Sequence, residues 1–330
     1  MISPRAFATS TLRLCPISTC HLQRTLFRRS GHFSVPLLHE FANKVSNTRV
    51  QWKQAGMKGG VSAAALQNNS VTELPNMSVQ RVPCLSDNYV WLLHETGMGK
   101  TAVVDPSEAA PVIKALDERG LKPDYILNTH HHFDHTGGNL ELKQRYGATI
   151  VGPAADKDRI PGIDISLKDG DTWKFGQLEM RVFDTPGHTR GHITLYFPEA
   201  EALFPGDTLF ALGCGRLFEG TPKQMWTSLS KLTPLPHNTW VFCAHEYTQS
   251  NAKFAVAIDK DNAKLQERKR LIDEHRSRGM ATVPSLLSEE LDTNPFLRPQ
   301  DQAIRAALGV APDASDVEAF AAIRKAKDNF

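Results

Sequence analysis

Cysteine is scarce in this chain, and its spacing excludes a disulfide framework. Five cysteines are spread over 330 residues: Cys15 and Cys20 near the start, then Cys84, Cys214 and Cys243 in isolation. No CxxC pair is present to hold a structural zinc, and the pattern suits packed thiols in a reducing compartment. Long apolar runs are missing too. No stretch reaches the roughly 20 residues of a membrane span, and none forms a secretory core followed by a cleavage site. Internal repeats and low-complexity tracts are absent. Acidic residues are almost missing from the opening segment, the first being Glu40. Nine of the 38 Lys and Arg but only two of the 36 Asp and Glu lie between Met1 and Asn76, which leaves 29 basic against 34 acidic residues from Met77 onward. A mildly acidic remainder argues against a nucleic-acid surface.

The opening segment itself, "MISPRAFATSTLRLCPISTCHLQRTLFRRSGHFS", spaces Arg5, Arg13, Arg24, Arg28 and Arg29 among serines, threonines and apolar residues. That composition reads as an organelle transit peptide. The arginine spacing favours a mitochondrion over a plastid, and Met57 or Met77 could start an untargeted, cytosolic form. Met57 to Pro75 lacks periodicity and reads as a linker. The expected organisation is a transit peptide and linker over residues 1–76, a catalytic domain over 77–247 and a smaller helical domain over 248–330.

From Val79 the chain reads as short strands. "YVWLLH" and "KTAVVD" are apolar and β-branched, with turn signals around them. "SEAAPVIKALDERG" reads as a helix with Ser107 as N-cap and Gly120 as its stop. "YILNT" is a further strand, and "GGNLELKQRYG" a helix with Leu140 and Leu142 inside. "LEMRVF" and "HITLYF" alternate, setting Leu178, Met180 and Val182 on one face and Ile193, Leu195 and Phe197 on another. Strands with intervening helices imply an α/β sandwich with its chemistry gathered at one edge. After Tyr247 the spacing turns helical at Phe254, Ile258, Leu265 and Leu271 or Ile272. "DASDVEAFAAIRKAKDNF" closes the chain as a helix capped by Ser315 or Asp316.

The densest chemistry is "THHHFDHTGG", Thr129 to Gly138, where four of thirteen histidines fall. In an extended segment His130 and His132 point one way and His131 the other, so the first two can share an ion. Asp134 and His135 follow, placed to serve a second. "DTPGHTRGH" adds His188 and His192, "FPGDTLF" adds Asp207, and "FCAHEY" adds His245. Nitrogen and oxygen donors without thiolate suit zinc, iron or manganese in an open catalytic site. Two neighbouring ions need a shared ligand, and Asp207 is the best-placed carboxylate.

The series THxHxDH, PGHTxGH, GDTLF and a late histidine resembles the metallo-β-lactamase superfamily. With "CGRLFEGT", "HEY" and "NPFLR" the set looks like glyoxalase II, the hydroxyacylglutathione hydrolases, over essentially all of Val79 to Phe330. The resemblance implies an αββα sandwich followed by a smaller α-helical domain, and two divalent metal ions per chain, zinc ahead of iron or manganese. It implies that His130, His132 and His188 hold the first ion, Asp134, His135 and His245 the second, and that Asp207 bridges. Asp105 and His192 would support these ligands from behind, with His131 outside the set. The implied reaction is hydrolysis of the thioester S-(D-lactoyl)glutathione to glutathione and D-lactate, the attacking hydroxide lying between the metals and oriented by Asp134. The implied partner is this small molecule, acted on by a monomer without membrane or nucleic acid.

Glutathione recognition would fall to Arg216, Tyr247 and Arg298. Two departures bear on it. Phe218 stands where some relatives carry tyrosine, and Asp301 where they carry a lysine three residues after the C-terminal arginine, so weaker binding of a carboxylate is expected. The rival reading is a mono-iron persulfide dioxygenase of the same superfamily. Those enzymes typically have alanine where this chain has Phe133, and they lack the full helical domain, so "HEY" and "NPFLR" favour the hydrolase.

Overall fold

A computed structural model describes residues 70–330. The arginine-rich opening, and with it the expected transit peptide, lies outside the described residues.

One sheet runs in chain order: β1 (Val71–Leu74), β2 (Met77–Cys84), β3 (Asn88–Glu95), β4 (Thr101–Val104), β5 (Tyr125–Leu127), β6 (Thr149–Pro153) and β7 (Ile165–Leu167). The first four strands pair antiparallel and the rest parallel. Parallel pairs need crossovers. Here they are α1 (Ala109–Arg119) between β4 and β5, then α2 (Phe133–Thr136) and α3 (Asn139–Tyr146) between β5 and β6. The expected domain start at Met77 is corrected by β1, whose Leu74 pairs with Met77 and Val71 with Gln80. Four residues carry too little periodicity to be read as a strand. The turn joining them shows its cause, Asn76 sitting at φ 57°, a conformation asparagine tolerates.

The second sheet has the order β15 (Ser285–Leu286), β14 (Trp240–Val241), β11 (Ala202–Phe204), β10 (Ile193–Phe197), β9 (Leu178–Asp184) and β8 (Thr172–Phe175). A small ladder, β12 (Leu209–Phe210) with β13 (Gly213–Cys214), stands apart. Between the sheets lies a core in which Phe204 stacks on Phe242 at 5.0 Å and Trp91 meets Phe242 edge-on. The outer face of the first sheet packs Val103 and Ile126 against Leu116 of α1 and Leu142 of α3. The outer face of the second packs Leu203 and Val241 against Leu229 of α4 (Pro222–Leu232) and Phe320 of α9 (Asp316–Asp328). The layers are therefore helix, sheet, sheet, helix. No helix among the described residues is long and apolar enough to cross a membrane.

The tail is helical, with α5 (Thr248–Ile258), α6 (Ala263–Ser277), α7 (Leu287–Thr293), α8 (Gln302–Ala307) and α9. It also returns β15 to the edge of the second sheet, antiparallel to β14. Ser315 caps α9 in a reciprocal box with Glu318. Two local expectations fail. The cap of α1 is Glu108, not Ser107, and the Glu108 carboxylate accepts the Leu85 N–H rather than capping its own helix. Leu140 is exposed while Leu142 is buried, because residues two apart on a helix cannot share a face.

Candidate metal centre

Strand ends and the loops after them bring the polar motifs together. His130, His132 and His188 form one group and Asp134, His135 and His245 a second, each with its candidate donor atoms within 4.8 Å of one another. Asp207 stands between the groups. Its Oδ2 is 3.3 Å from His188 Nε2; its Oδ1 is 3.3 Å from His135 Nε2 and 3.4 Å from His245 Nε2.

The outer nitrogens fix the tautomers. His188 Nδ1 donates to the Arg216 carbonyl (2.8 Å), His245 Nδ1 to Asp87 (2.9 Å) and His135 Nδ1 to Asp105 (3.1 Å). Thr129 spends its hydroxyl proton on Asp105, so its oxygen accepts from His130 Nδ1 at 3.0 Å. Four Nε2 lone pairs thus face the space around Asp207. His132 adds Nδ1, 3.1 Å from both His130 Nε2 and His188 Nε2. Asp207 Oδ1 is buried without a hydrogen-bond partner. Lone pairs and a bare carboxylate oxygen this close repel one another unless cations lie among them. The donor set therefore fits a binuclear site of nitrogen and oxygen ligands. A third combination, Asp105 with His130 and His135, is spent internally, since Asp105 accepts from the Thr129 N–H, the Thr129 hydroxyl and His135.

Electrostatics divide the site. His130 is held far below the ordinary imidazole range by burial and then by His135, and His132 is lowered to about 4 by burial and then His188. At the other end carboxylates prevail. Burial opposes charge on His135 and on Asp207, yet Asp207 draws His135 upward, while His245 and His135 hold Asp207 well below the carboxylate range. That demand for positive charge is what a cation satisfies. Asp134 is likewise kept ionised against burial, by His135 and by Asn88, whose Nδ2 lies 3.1 Å from Asp134 Oδ2.

Asp105 and His192 stand where they were expected, behind the ligands. Asp105 sits at φ 50° with one oxygen on the Thr129 N–H and the other on Thr129 and His135, which makes it more than a turn former. His192 Nε2 accepts the Asp207 N–H at 3.0 Å, and its ring stacks on His130 at 4.7 Å. His131 turns away to Asp156 at 2.8 Å. Gly215 is required by close approach: a Cβ there would lie 2.0 Å from the Asp207 carbonyl oxygen.

A cavity of about 660 Å³ opens over the ligands, with His132, Asp134, His188, Asp207 and His245 on its floor. Arg216, Phe218 and Tyr247 line it as expected; Tyr247 lies flat against His245 at 4.6 Å, and Phe218 is exposed at 5.1 Å from the His188 ring. Arg298 is a correction. It lines a separate open groove, paired with Asp259 and Asp301, while Asp301 caps α8. Both aspartates pair with its guanidinium there, outside the cavity over the metal ligands. The cations on the cavity wall are instead Arg324 and Lys327, from α9. Their three-residue spacing puts both on one helix face, a signal present in the sequence and attributed to the wrong arginine. Lys327 is lowered by burial and then by repulsion from Arg324 and Arg216, while Arg324 is paired with Asp328 on the same wall at 2.7 Å, so the wall carries three cations against one carboxylate. Asp87 and Asn88, which hold His245 and Asp134, were also missed, for want of any local motif.

Residues 86–245 match the model of the metallo-β-lactamase superfamily, and residues 246–330 match that of the hydroxyacylglutathione hydrolase C-terminus. The chain is 58% identical over 254 residues to a hydroxyacylglutathione hydrolase of Methylococcus capsulatus, covering 77% of this chain and 99% of that protein. It is 49% identical over 257 residues to one of Maricaulis maris, covering 78% of this chain and 100% of that protein. Among solved structures, ETHE1 from Myxococcus xanthus superposes with a TM-score of 0.54 at 23% identity, over 75% of this chain and 89% of that one, a likeness of fold. Two convergent triads joined by Asp207, a sandwich with a helical tail, and relatives matched along their whole length place this chain in the hydroxyacylglutathione hydrolase family of the metallo-β-lactamase superfamily.

Proposed function

We propose that the protein hydrolyses S-(D-lactoyl)glutathione to glutathione and D-lactate. The observation that carries this reading is the three-cation wall of Arg216, Arg324 and Lys327 beside the two triads, in a cavity sized for a tripeptide thioester. His130, His132 and His188 would hold one ion, Asp134, His135 and His245 the other, with Asp207 shared. Zinc suits this donor set best, and iron or manganese would be accepted. Such ions, when bound, lower the pKa of water and polarise a carbonyl. Asp134, ionised and held by Asn88, would accept a hydrogen bond from the attacking water and so aim its lone pair. The cationic wall and Tyr247 hold the glutathione carboxylates and fix the thioester over the floor. The departing thiol, with a pKa of about 8.5, leaves as thiolate without a strong general acid. One chain supplies every ligand, so the reaction needs no second copy. Mitochondrial import belongs to the same proposal, rests on the spacing of Arg5 to Arg29, and is tested by fractionating cells that express the tagged chain.

The test is thiol release from S-(D-lactoyl)glutathione by the full chain, with metal content determined on the same sample. Turnover with close to two metals per chain supports the reading. No turnover, one bound iron, and oxygen uptake with glutathione persulfide would replace it with the dioxygenase.

A further inference from the structure

Next to the first triad lies an ionic cluster that the proposed reaction does not use. Asp156 is fully buried and accepts from His131 Nδ1 at 2.8 Å and from Arg159 Nε at 3.1 Å. Arg159 also forks onto Glu219, Nη1 to Oε1 at 2.5 Å and Nη2 to Oε2 at 3.1 Å. Glu219 in turn accepts the Arg190 N–H at 2.8 Å, and its own N–H donates to the His188 carbonyl at 3.3 Å. The Asp156 carboxylate presses on Gly191 so closely that a Cβ there would lie 2.0 Å from Oδ1. Three separate segments meet at one guanidinium: the histidine loop through His131, the 187–192 loop through Arg190 and Gly191, and the 215–220 segment through Glu219. The last of these also provides the Arg216 carbonyl that orients His188. None of these contacts reaches Asp134, His135 or His245.

We propose that Arg159 is a positioning residue for one half of the metal centre. By strapping Glu219 to Asp156 it holds His188 against His130 and His132, and it sets the affinity of that triad independently of the other. The inference rests on the two-ion reading above. Without the guanidinium, Asp156 is left with His131 and Glu219 with the exposed Arg190, 3.7 Å away, and the 215–220 segment loses its tie to the histidine loop. Outer partners of metal ligands change affinity by roughly 10- to 100-fold. One further step removed, Arg159 stands at the lower end, about tenfold.

The experiment uses zinc as probe and the full chain in two single-site backgrounds, each titrated against a chromophoric chelator. His245→Ala leaves the His130–His132–His188 set, and His188→Ala leaves the other. Arg159→Ala is expected to weaken zinc about tenfold in the first background and to leave the second unchanged. Glu219→Gln, which keeps the shape and removes the charge, is expected to show the same bias, and the pair together no more than either alone. Equal weakening in both backgrounds means general loosening and overturns the proposal, as does no weakening in either. Far-ultraviolet circular dichroism identifies a variant that fails to fold, and Glu219→Gln then decides. A parent chain that takes up fewer than two zinc ions before Arg159 is touched defeats the two-ion reading itself.

Discussion

At the scale of single residues, the site depends on which proton each imidazole keeps. Asp105 settles this for His135, its Oδ2 taking Nδ1–H at 3.1 Å so that Nε2 turns inward as a donor. Asp105→Asn leaves one acceptor for the Thr129 N–H but turns an amide toward His135, with neither the charge nor the second lone pair in place. The expected result is a folded protein whose second ion binds roughly 10- to 100-fold more weakly, read by zinc titration. All seven proposed ligands were legible as short motifs at strand ends: spacing groups those of the histidine loop, and the resemblance to the family supplies which distant loops they meet. Asp87 and Asn88 were not. Asp87 reaches His245 across 158 residues of chain, and a lone "SDN" turn carries no mark of its destination.

Among elements, α9 decides how a substrate tail is held. Arg324 and Lys327 lie on the face that meets the cavity, while Phe320 and Ile323 on the same helix are buried in the outer core. Lys327→Gln should raise KM for the thioester about tenfold with kcat nearly unchanged, the loss of one charge-assisted contact worth about 1.5 kcal/mol. Steady-state kinetics separates the two constants, and an equal fall in kcat would place Lys327 in the chemical step. A helical tail was legible in the sequence, but not which of its helices turns a cationic pair inward. Among the tail's arginines are Arg298, just before α8, and Arg324, within α9. Only packing tells that the first guanidinium pairs with Asp259 and Asp301 outside the cavity and the second faces it. Strands were easier: "YVWLLH" reads as apolar along its whole length because β3 is covered on both faces.

At the scale of the whole molecule, the sandwich and its tail share one core. Phe254, Leu287, Phe296, Ile304, Phe320 and Ile323 from the tail are buried together with Leu203, Leu229 and Val241 of the sandwich. At about 1.5–3 kcal/mol for each side chain, this burial rivals the roughly 5–15 kcal/mol that keeps a typical protein folded. A chain ending at Tyr247 also leaves β14 without its β15 neighbour. Such a truncation is expected to show no cooperative thermal transition and to bind a hydrophobic dye; a sharp transition would mean that the halves fold separately. Acid should reveal another tie. Arg159 and then the Arg190 N–H lower the Glu219 carboxyl from the ordinary 4.5 to about 2, against burial. A depressed carboxyl contributes stability above its unfolded pKa and loses it as pH falls through the folded one. The gap in unfolding midpoint between the parent chain and Glu219→Gln should thus be full above about pH 5 and close toward pH 2.

The contact of Gly215 with the Asp207 carbonyl bears on how this protein can diverge. No side chain fits there, and each ligand's outer nitrogen or backbone is already committed, so the floor tolerates almost no variation. The mouth is different. Phe218 and Phe330 stand exposed around it and make no hydrogen bond to a ligand, Phe218 only resting against the His188 and His132 rings. A descendant of this chain with another acyl or thiol preference would be expected to differ first at the mouth, with its floor inherited intact.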